Sequence, residues 1–384
     1  MGRGHIRKRG ENSWEIKFDL GIDPISGKRQ TRYASVKGSK KEAQAKLTEL
    51  LAAVAKGSHV GPNKITVAEF VRSRIDQWQA AGSISIRSAE RYRVVAKKQI
   101  EPFLGTKRLQ QLKPLDIEEW HTLLRSRGRR DGKGCSPSTV GYSHRLLKRV
   151  LKDALENDLV VRNVMASKSA PTVKGIDKVI IRADDVSTFI EKMRPRIRYY
   201  AASILGLFCG LRLGETLALR WKCIDLDRKT LKVQEALEYT ETHGLRFKEP
   251  KTKAGKREIT LPNIVIDTLR EHRRSQLELR LQLGAGKLEP DDLLFTDIEG
   301  APMHPYNFST TWARCAARIG FPDLTYHCLR HTHASQLIAA GVDVVKIAYR
   351  LGHASPTITL KTYGHLFDKD DSKAAEAINA ALKL

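Results

Sequence analysis

The feature that most restricts how this chain can fold is a change of hydrophobic period along its length. Trp14-Glu15-Ile16-Lys17-Phe18-Asp19-Leu20 alternates apolar and polar residues, as a half-buried strand does. Asp23-Pro24-Ile25-Ser26-Gly27 is a turn signal, and Gln30 to Ser35 a second candidate strand. At Ser39-Lys40-Lys41-Glu42, a capping-box pattern, the period becomes helical and runs through Leu47, Leu50, Leu51 and Val54. Residues 1–60 thus read as a small sheet plus one helix. Gly57 to Lys64, with two glycines and Pro62, reads as a linker.

Residues 65–165 read as nearly all helix. Thr66-Val67-Ala68-Glu69 is a second capping box, ahead of Phe70, Val71, Ile75 and Trp78. A helix is expected from about Ser88 to Ile100, stopping before Pro102, and a third around Ile117, Trp120, Leu123 and Leu124. A fourth opens at Ser136-Pro137-Ser138, where proline suits the first turn, and carries Leu146, Leu147, Val150, Leu151 and Leu155. Ala166 to Gly175 is a second linker; the remainder mixes helices with a strand-rich island from about Leu231 to Leu261. The fold class is multidomain, mainly α with small β-sheets (α+β), divided at 1–60, 65–165 and 175–384.

Charge narrows the partner. The chain has 384 residues, with 68 Lys and Arg against 43 Asp and Glu, a formal net charge of +25. A field of that sign attracts polyanions, of which nucleic acid is the commonest large one in cells. Basic residues crowd residues 1–60 (Arg7, Lys8, Arg9, Lys28, Arg29, Arg32, Lys37, Lys40, Lys41) and the helical region (Arg87, Arg91, Arg93, Lys97, Lys98, Arg145, Lys148, Arg149, Lys152). They read either as solvated surface or as phosphate contacts. No run approaches the roughly 18 apolar residues of a membrane span. The basic start MGRGHIRKRG leads into no apolar segment. Cys135, Cys209, Cys223, Cys315 and Cys328 are scattered and form no CxxC pair, which points away from disulfides and a zinc ribbon. A cytoplasmic, nucleoid-associated protein with no membrane partner is expected.

Five patterns in the C-terminal half carry the chemistry. Gly210-Leu211-Arg212-Leu213-Gly214-Glu215 closes an apolar run, Ile204 to Phe208. A guanidinium there needs a partner, which Glu215 supplies three residues on. Lys251-Thr252-Lys253-Ala254-Gly255-Lys256-Arg257 lies between two strand-like runs and reads as a β-hairpin tip that projects a lysine. In His327-Cys328-Leu329-Arg330-His331 the first histidine and the arginine share a helical face, so both can meet one phosphate. His327, Cys328, His331 and His333 also invite a zinc reading, but no second ligand cluster sits at finger spacing. Leu351-Gly352-His353 and Thr362-Tyr363-Gly364-His365 follow. Each alone has a plainer reading: a structural ion pair, an exposed lysine, a helix-ending glycine, an ordinary aromatic.

In this order, however, Gly-Leu-Arg-x-Gly-Glu, the hairpin lysine, His-x-x-Arg-His, Leu-Gly-His and the tyrosine closely resemble the tyrosine recombinase (phage integrase) family. The resemblance covers about residues 175–370. It implies that Arg212 and Arg330 are phosphate-binding arginines, His327 and His353 the active-site histidines, Lys253 the hairpin lysine and Tyr363 the nucleophile. Glu215 matches the acidic residue that buttresses the first arginine. Residues 65–165 are similar to a core-binding domain, and residues 1–60 to an arm-type DNA-binding domain. A mixed α/β catalytic domain of tyrosine recombinase type follows. Arg7, Lys8, Arg9, Lys28, Arg29, Arg32, Lys98, Arg145, Lys148 and Arg149 are then the expected DNA contacts.

The activity so implied is integration or excision of a mobile element through a 3′-phosphotyrosyl intermediate. It needs no cofactor and no metal, works on double-stranded DNA attachment sites as a homo-tetramer, and admits accessory bending or directionality proteins. Two arginines neutralise the phosphodiester. A phenol of pKa about 10 needs its proton removed, here by His327; Lys253 protonates the leaving 5′-oxygen, and His353 holds the phosphate. The phosphotyrosine conserves bond energy for resealing. Rival readings are a type IB topoisomerase, a chromosome-dimer resolvase and a regulator without catalysis. The basic first 60 residues favour a mobile-element integrase, and the intact set of seven residues favours an active enzyme. No set of three carboxylates suggests a metal-dependent transposase.

Overall fold

The computed structural model describes residues 4–22, 29–55, 63–172, 179–250, 252–367 and 372–382. Its chain divides into two compact units, residues 1–175 and 176–384. Residues 23–28, which hold the expected turn, and 56–62, most of the first expected linker, lie outside the described residues.

The first unit contains two separate cores. Strands β1 (Gly4–Gly10), β2 (Ser13–Ile22) and β3 (Arg29–Lys37) form an antiparallel sheet in that order. Helix α1 (Lys40–Ala55) covers it, burying Leu47 against Ile16 and Phe18. The Ser39–Glu42 capping box forms as read, the Ser39 N–H donating to Glu42 Oε2 at 2.6 Å. Strand β1 is an addition. Ile6 is its single apolar residue, so no alternation marks it, and pairing with β2 creates it.

The second core is helical: α2 (Val67–Ala80), α3 (Ile86–Val95), α4 (Glu101–Leu104), α5 (Pro114–Arg127) and α6 (Pro137–Glu156). The Thr66–Glu69 capping box is present. Trp120, Ile75, Ile100, Ile117, Leu124 and Leu147 fill the centre. The expected stop before Pro102 does not occur. A π turn over Ala96–Ile100 leads directly into α4, where Pro102 occupies the first turn. Leu155 also departs from expectation, being 39% exposed; Leu147, Leu151 and Ala154 carry the buried stripe of α6 instead.

The second unit begins with α7 (Val186–Met193), α8 (Ile197–Cys209) and α9 (Leu213–Leu217). Short strands follow: β4 (Ile224–Asp225), β5 (Thr230–Val233), β6 (Ala236–Thr240), β7 (Gly244–Lys248) and β8 (Arg257–Thr260). Then come α10 (Asn263–Gln282), α11 (Pro305–Arg318), α12 (Tyr326–Ala339), α13 (Val344–Leu351), α14 (Pro356–Tyr363) and α15 (Ser372–Leu382). Helix α8 runs through the core, buried along most of its length. It packs closely on α12 because Gly206 carries no side chain: a Cβ there would lie 3.0 Å from Leu329 Cδ1. Tyr326 locks this crossing by donating its hydroxyl to Ala202 O at 2.7 Å.

The expected β-hairpin around Lys253 is not one. Strand β7 pairs with β6, whereas β8 pairs with β5. The chain therefore crosses from one sheet to another, with a 3₁₀ turn over Lys253–Gly255. Local turn chemistry marks the reversal but not which strand each flank joins. Among the described residues no helix is long and apolar enough to cross a membrane.

Candidate active site

The site is assembled at helix ends. Helix α8 stops at Gly210, whose φ of 65° places it in the left-handed region; a Cβ there would lie 2.7 Å from the His333 ring. Stopping a helix orphans its last carbonyls, and side chains from α12 and α13 take three of them. His333 Nδ1 donates to Leu207 O (2.9 Å), Arg350 Nη2 to Phe208 O (2.9 Å) and Arg330 Nη1 to Gly210 O (2.7 Å). Arg350 Nε donates to His333 Nε2 at 3.1 Å, which requires a neutral imidazole. Burial, followed by the charge of Arg350, pushes His333 down to about 3.

Arg330 is 2% exposed. Its second nitrogen, Nη2, donates to Leu351 O at 2.7 Å. Arg212, at the N-cap of α9, donates from Nη2 to the next carbonyl, Gly352 O, at 3.3 Å. The two arginines thus converge on adjacent carbonyls directly ahead of His353. Burial, then repulsion from Arg212, lowers Arg330 to about 9, so it remains a cation at neutral pH.

Glu215 joins Arg212 to a residue that the sequence reading passed over. Arg212 Nη1 meets Glu215 Oε1 at 2.7 Å, and the Arg212 N–H donates to Oε2 at 3.0 Å. On the other side, Arg257 Nη2 reaches Glu215 Oε2 at 3.0 Å, with an Arg257 side chain that is fully buried. Burial alone would raise the Glu215 carboxyl, but Arg257 and Arg212 together hold it below its ordinary value. Arg257 also donates to Arg350 O (2.8 Å) and Gly255 O (3.2 Å). A signal for it existed: β8 alternates, and Arg257 has the inward parity of Ile259 and Leu261, all three buried.

Gly352, with φ 66°, ends α13 and turns the chain to His353. A Cβ on Gly352 would lie 2.6 Å from Arg257 Nη1, so the close approach requires glycine. The His353 ring shares a hydrogen bond of 2.8 Å with Thr359 of α14. Burial, then Arg330 and Arg212, lowers it to about 4; at neutral pH it is uncharged. Lys253 is exposed on its crossover turn.

Tyr363 is the last residue of α14 and only 2% exposed, packed with Ala334, Ile338, Ile347 and Leu351. Burial pushes its phenol up to about 12, against the pull of Arg330 and Arg212. Its hydroxyl lies 2.6 Å from Nδ1 of His331, a residue that entered the sequence reading as the last histidine of His-x-x-Arg-His and as a metal candidate, with no part in the chemistry. His327 stands one turn earlier on α12, exposed, with its ring edge-on to His331 at 4.6 Å. No group of three metal-ligating side chains occurs among the described residues.

The expected DNA contacts are scattered more widely. Lys28 lies outside the described residues. Arg7, Lys8, Arg9, Arg29 and Arg32 are exposed on the sheet, but the register divides them. Arg7 sits opposite Glu15, whereas Lys8 sits opposite Trp14 and Arg32 opposite Phe18, on the helix-covered side. Arg9 pairs with Glu15 and Arg29 with Asp19. In the helical core Lys98 is exposed on the π turn. Arg145 lies 5.9 Å from the Tyr142 ring centroid and Arg149 4.0 Å from that of Trp78. The Lys148 ammonium is engaged by the carbonyls of Ala166 and Lys168, both at 3.2 Å.

Comparison with known proteins identifies the family. The model of the phage integrase family matches residues 180–370, and that of the phage integrase N-terminal SAM-like domain residues 73–124. The chain is 26% identical to a tyrosine recombinase XerC-like protein of Caldanaerobacter subterraneus subsp. tengcongensis, over 97% of each chain. It is 22% identical to the ICEBs1 integrase of Bacillus subtilis, covering 98% of this chain and all of the other. Among solved structures, the Tn1549 transposon integrase in complex with a circular intermediate DNA superposes with a TM-score of 0.68 at 20% identity, covering 83% of this chain and 99% of that one. A lambda integrase tetramer bound to a Holliday junction gives 0.56 at 16% identity, covering 92% and 96%. With the fold and these relatives in agreement, the chain belongs to the phage integrase family and is a tyrosine site-specific recombinase.

Proposed function

We propose that this recombinase breaks and rejoins double-stranded DNA at the attachment sites of a mobile element, with Tyr363 as nucleophile. The observation that carries the reading is the convergence of Arg212 and Arg330 on the adjacent carbonyls of Gly352 and Leu351. Two fixed groups, both cationic at neutral pH, meet beside His353, where a phosphate can replace backbone carbonyls as their partner.

In this scheme Arg212 and Arg330 bind the non-bridging oxygens, and neutral His353 adds a hydrogen bond. Glu215 fixes Arg212. The phenolic proton leaves through the histidines of α12, His327 among them. Tyr363 attacks phosphorus, Lys253 protonates the departing 5′-oxygen, and the 3′-phosphotyrosine is later resealed by the 5′-hydroxyl of the partner strand. Lys253 suits that role because its crossover turn leaves it exposed. The scheme calls on no cofactor.

The chain acts, in this reading, as three functional parts: residues 1–60 on arm-type sites, 65–165 on the core site and 175–384 in catalysis. The separate cores of the sheet module and the helical bundle support the first division. Four copies assemble on two DNA sites, by analogy with the tetrameric lambda integrase on its junction. Helix α15 then docks on a neighbouring copy, with accessory bending or directionality proteins setting the outcome. If deleting residues 372–384 left assembly on DNA unchanged, the docking role would be wrong.

The test of the reading uses nicked DNA bearing an attachment site that the protein binds, in EDTA, with wild type and Tyr363→Phe. A covalent adduct that survives denaturing electrophoresis and vanishes with phenylalanine is the expected result. No adduct from wild type on a bound site would overturn it.

A further inference from the structure

The nucleophile has a partner on α12 that the motif pattern does not assign. His331 Nδ1 lies 2.6 Å from the Tyr363 hydroxyl, within the range of a strong O–H···N hydrogen bond. The two rings are 5.6 Å apart and edge-on. One turn back, the His327 ring meets His331 at 4.6 Å, so two imidazoles lead from the buried phenol to the exposed face of the helix. Tyr363 itself is packed among Ala334, Ile338, Ile347 and Leu351, surroundings that disfavour a bare phenolate. A phenol so placed reacts only if its proton is removed as the new bond forms, and a general base must stand within hydrogen-bond reach to do this.

We propose that His331 is a catalytic residue whose Nδ1 accepts the Tyr363 proton as the phenolic oxygen attacks the scissile phosphate. The proposal rests on the reading of Tyr363 as nucleophile. In the cleavage step neutral His331, protonated at Nε2, takes the hydroxyl proton. The phenolic oxygen forms its bond to phosphorus, and the P–O5′ bond breaks with its electron pair going to O5′, which Lys253 protonates. During resealing the proton returns: the incoming 5′-hydroxyl gives its proton to Lys253, its oxygen bonds to phosphorus, and the departing phenolate recovers its proton from the His331 imidazolium. While charged, that imidazolium sits beside the negative phosphate, with Arg330 adjacent in sequence and His327 on the same face. His327 is then the outer member of the pair, passing the proton toward solvent or contacting the phosphate.

Full-length wild type, His331→Gln, His327→Gln and Tyr363→Phe are compared in single-turnover adduct formation on nicked DNA carrying a bound attachment site. Each is repeated, except Tyr363→Phe, with position 363 as 3,5-difluorotyrosine, whose phenol ionises more readily. Glutamine keeps a hydrogen-bonding group but cannot take the proton. His331→Gln is expected to slow adduct formation on the order of 100-fold without weakening DNA binding, and difluorotyrosine to recover most of that loss. Cleavage by His331→Gln at close to the wild-type rate would overturn the proposal. So would a defect that difluorotyrosine leaves unchanged, since a merely structural role is indifferent to phenol acidity. Failure of the underlying reading shows separately, as an absent wild-type adduct or one that persists in Tyr363→Phe.

Discussion

Arg149 in the first unit and Arg330 in the second are both arginines held in place by the fold, but by opposite means. Arg149 lies over the Trp78 ring at 4.0 Å, and Arg91 over Tyr142 at 4.3 Å. Stacking restrains the guanidinium plane without consuming an N–H donor. Arg330 instead spends donors on Gly210 O and Leu351 O and is almost wholly buried. The first arrangement suits contacts that must adapt to a long, varied backbone. The second suits one phosphate in one geometry, where a small displacement is expensive.

Four measurements sharpen or break this contrast. The largest effect belongs to Arg330→Lys. A single ammonium cannot reproduce the planar fork whose two nitrogens reach Gly210 O and Leu351 O, and cleavage should fall on the order of 10²–10³-fold while DNA binding changes little; an equal loss of binding would erase the distinction between the units. Next is Glu215→Gln, which strips a buried partner from Arg257 and Arg212. It should destabilise the second unit by about 3–5 kcal/mol, read as faster hydrogen exchange in α8 and α9. Unchanged exchange there would mean that the arginine–glutamate–arginine chain does not support the site.

The third concerns pH. His333 and His353 have folded values of about 3 and 4, below the ordinary 6.5, so the unfolded chain binds more protons between those limits. Their contribution to stability is complete above about 6.5 and is lost as pH falls toward 4. Hydrogen exchange in α12 should accelerate over that window and do so less in His333→Gln; an identical pH dependence in the variant would assign the effect elsewhere. The smallest effect belongs to Arg149→Ala. It should lower the salt dependence of DNA binding by about one phosphate contact and leave the cleavage rate of saturated complexes intact. A cleavage defect there would show that the stacked arginines also position the phosphate.

What was legible in the sequence depended on whether a residue's role is local. The Thr66–Glu69 and Ser39–Glu42 boxes each span four residues and formed as read. Gly352 and the Arg212–Glu215 pair were visible for the same reason. Arg257 was not, because its partners lie 42 and 93 residues away in sequence, although its inward parity in β8 was a clue. His331 was hidden differently: its neighbours Arg330 and His327 absorbed the motif, and only the placement of α14 brings the Tyr363 hydroxyl to it. The crossover at Lys253 escaped because strand partners are chosen by the whole sheet, not by the turn between them.

The carbonyls that grip Arg330, Arg350 and His333 at the end of α8 are also the negative pole of a helix dipole, worth roughly half an elementary charge. A second such pole, at the end of α13, faces Arg330 and Arg257 through Leu351 O and Arg350 O. The cations of the site are therefore steadied by backbone fields as well as by Glu215. A relative could keep every motif residue and still lose its hold on the phosphate through a change that unwinds one turn of α8, so completeness of the motif set does not by itself guarantee a competent enzyme.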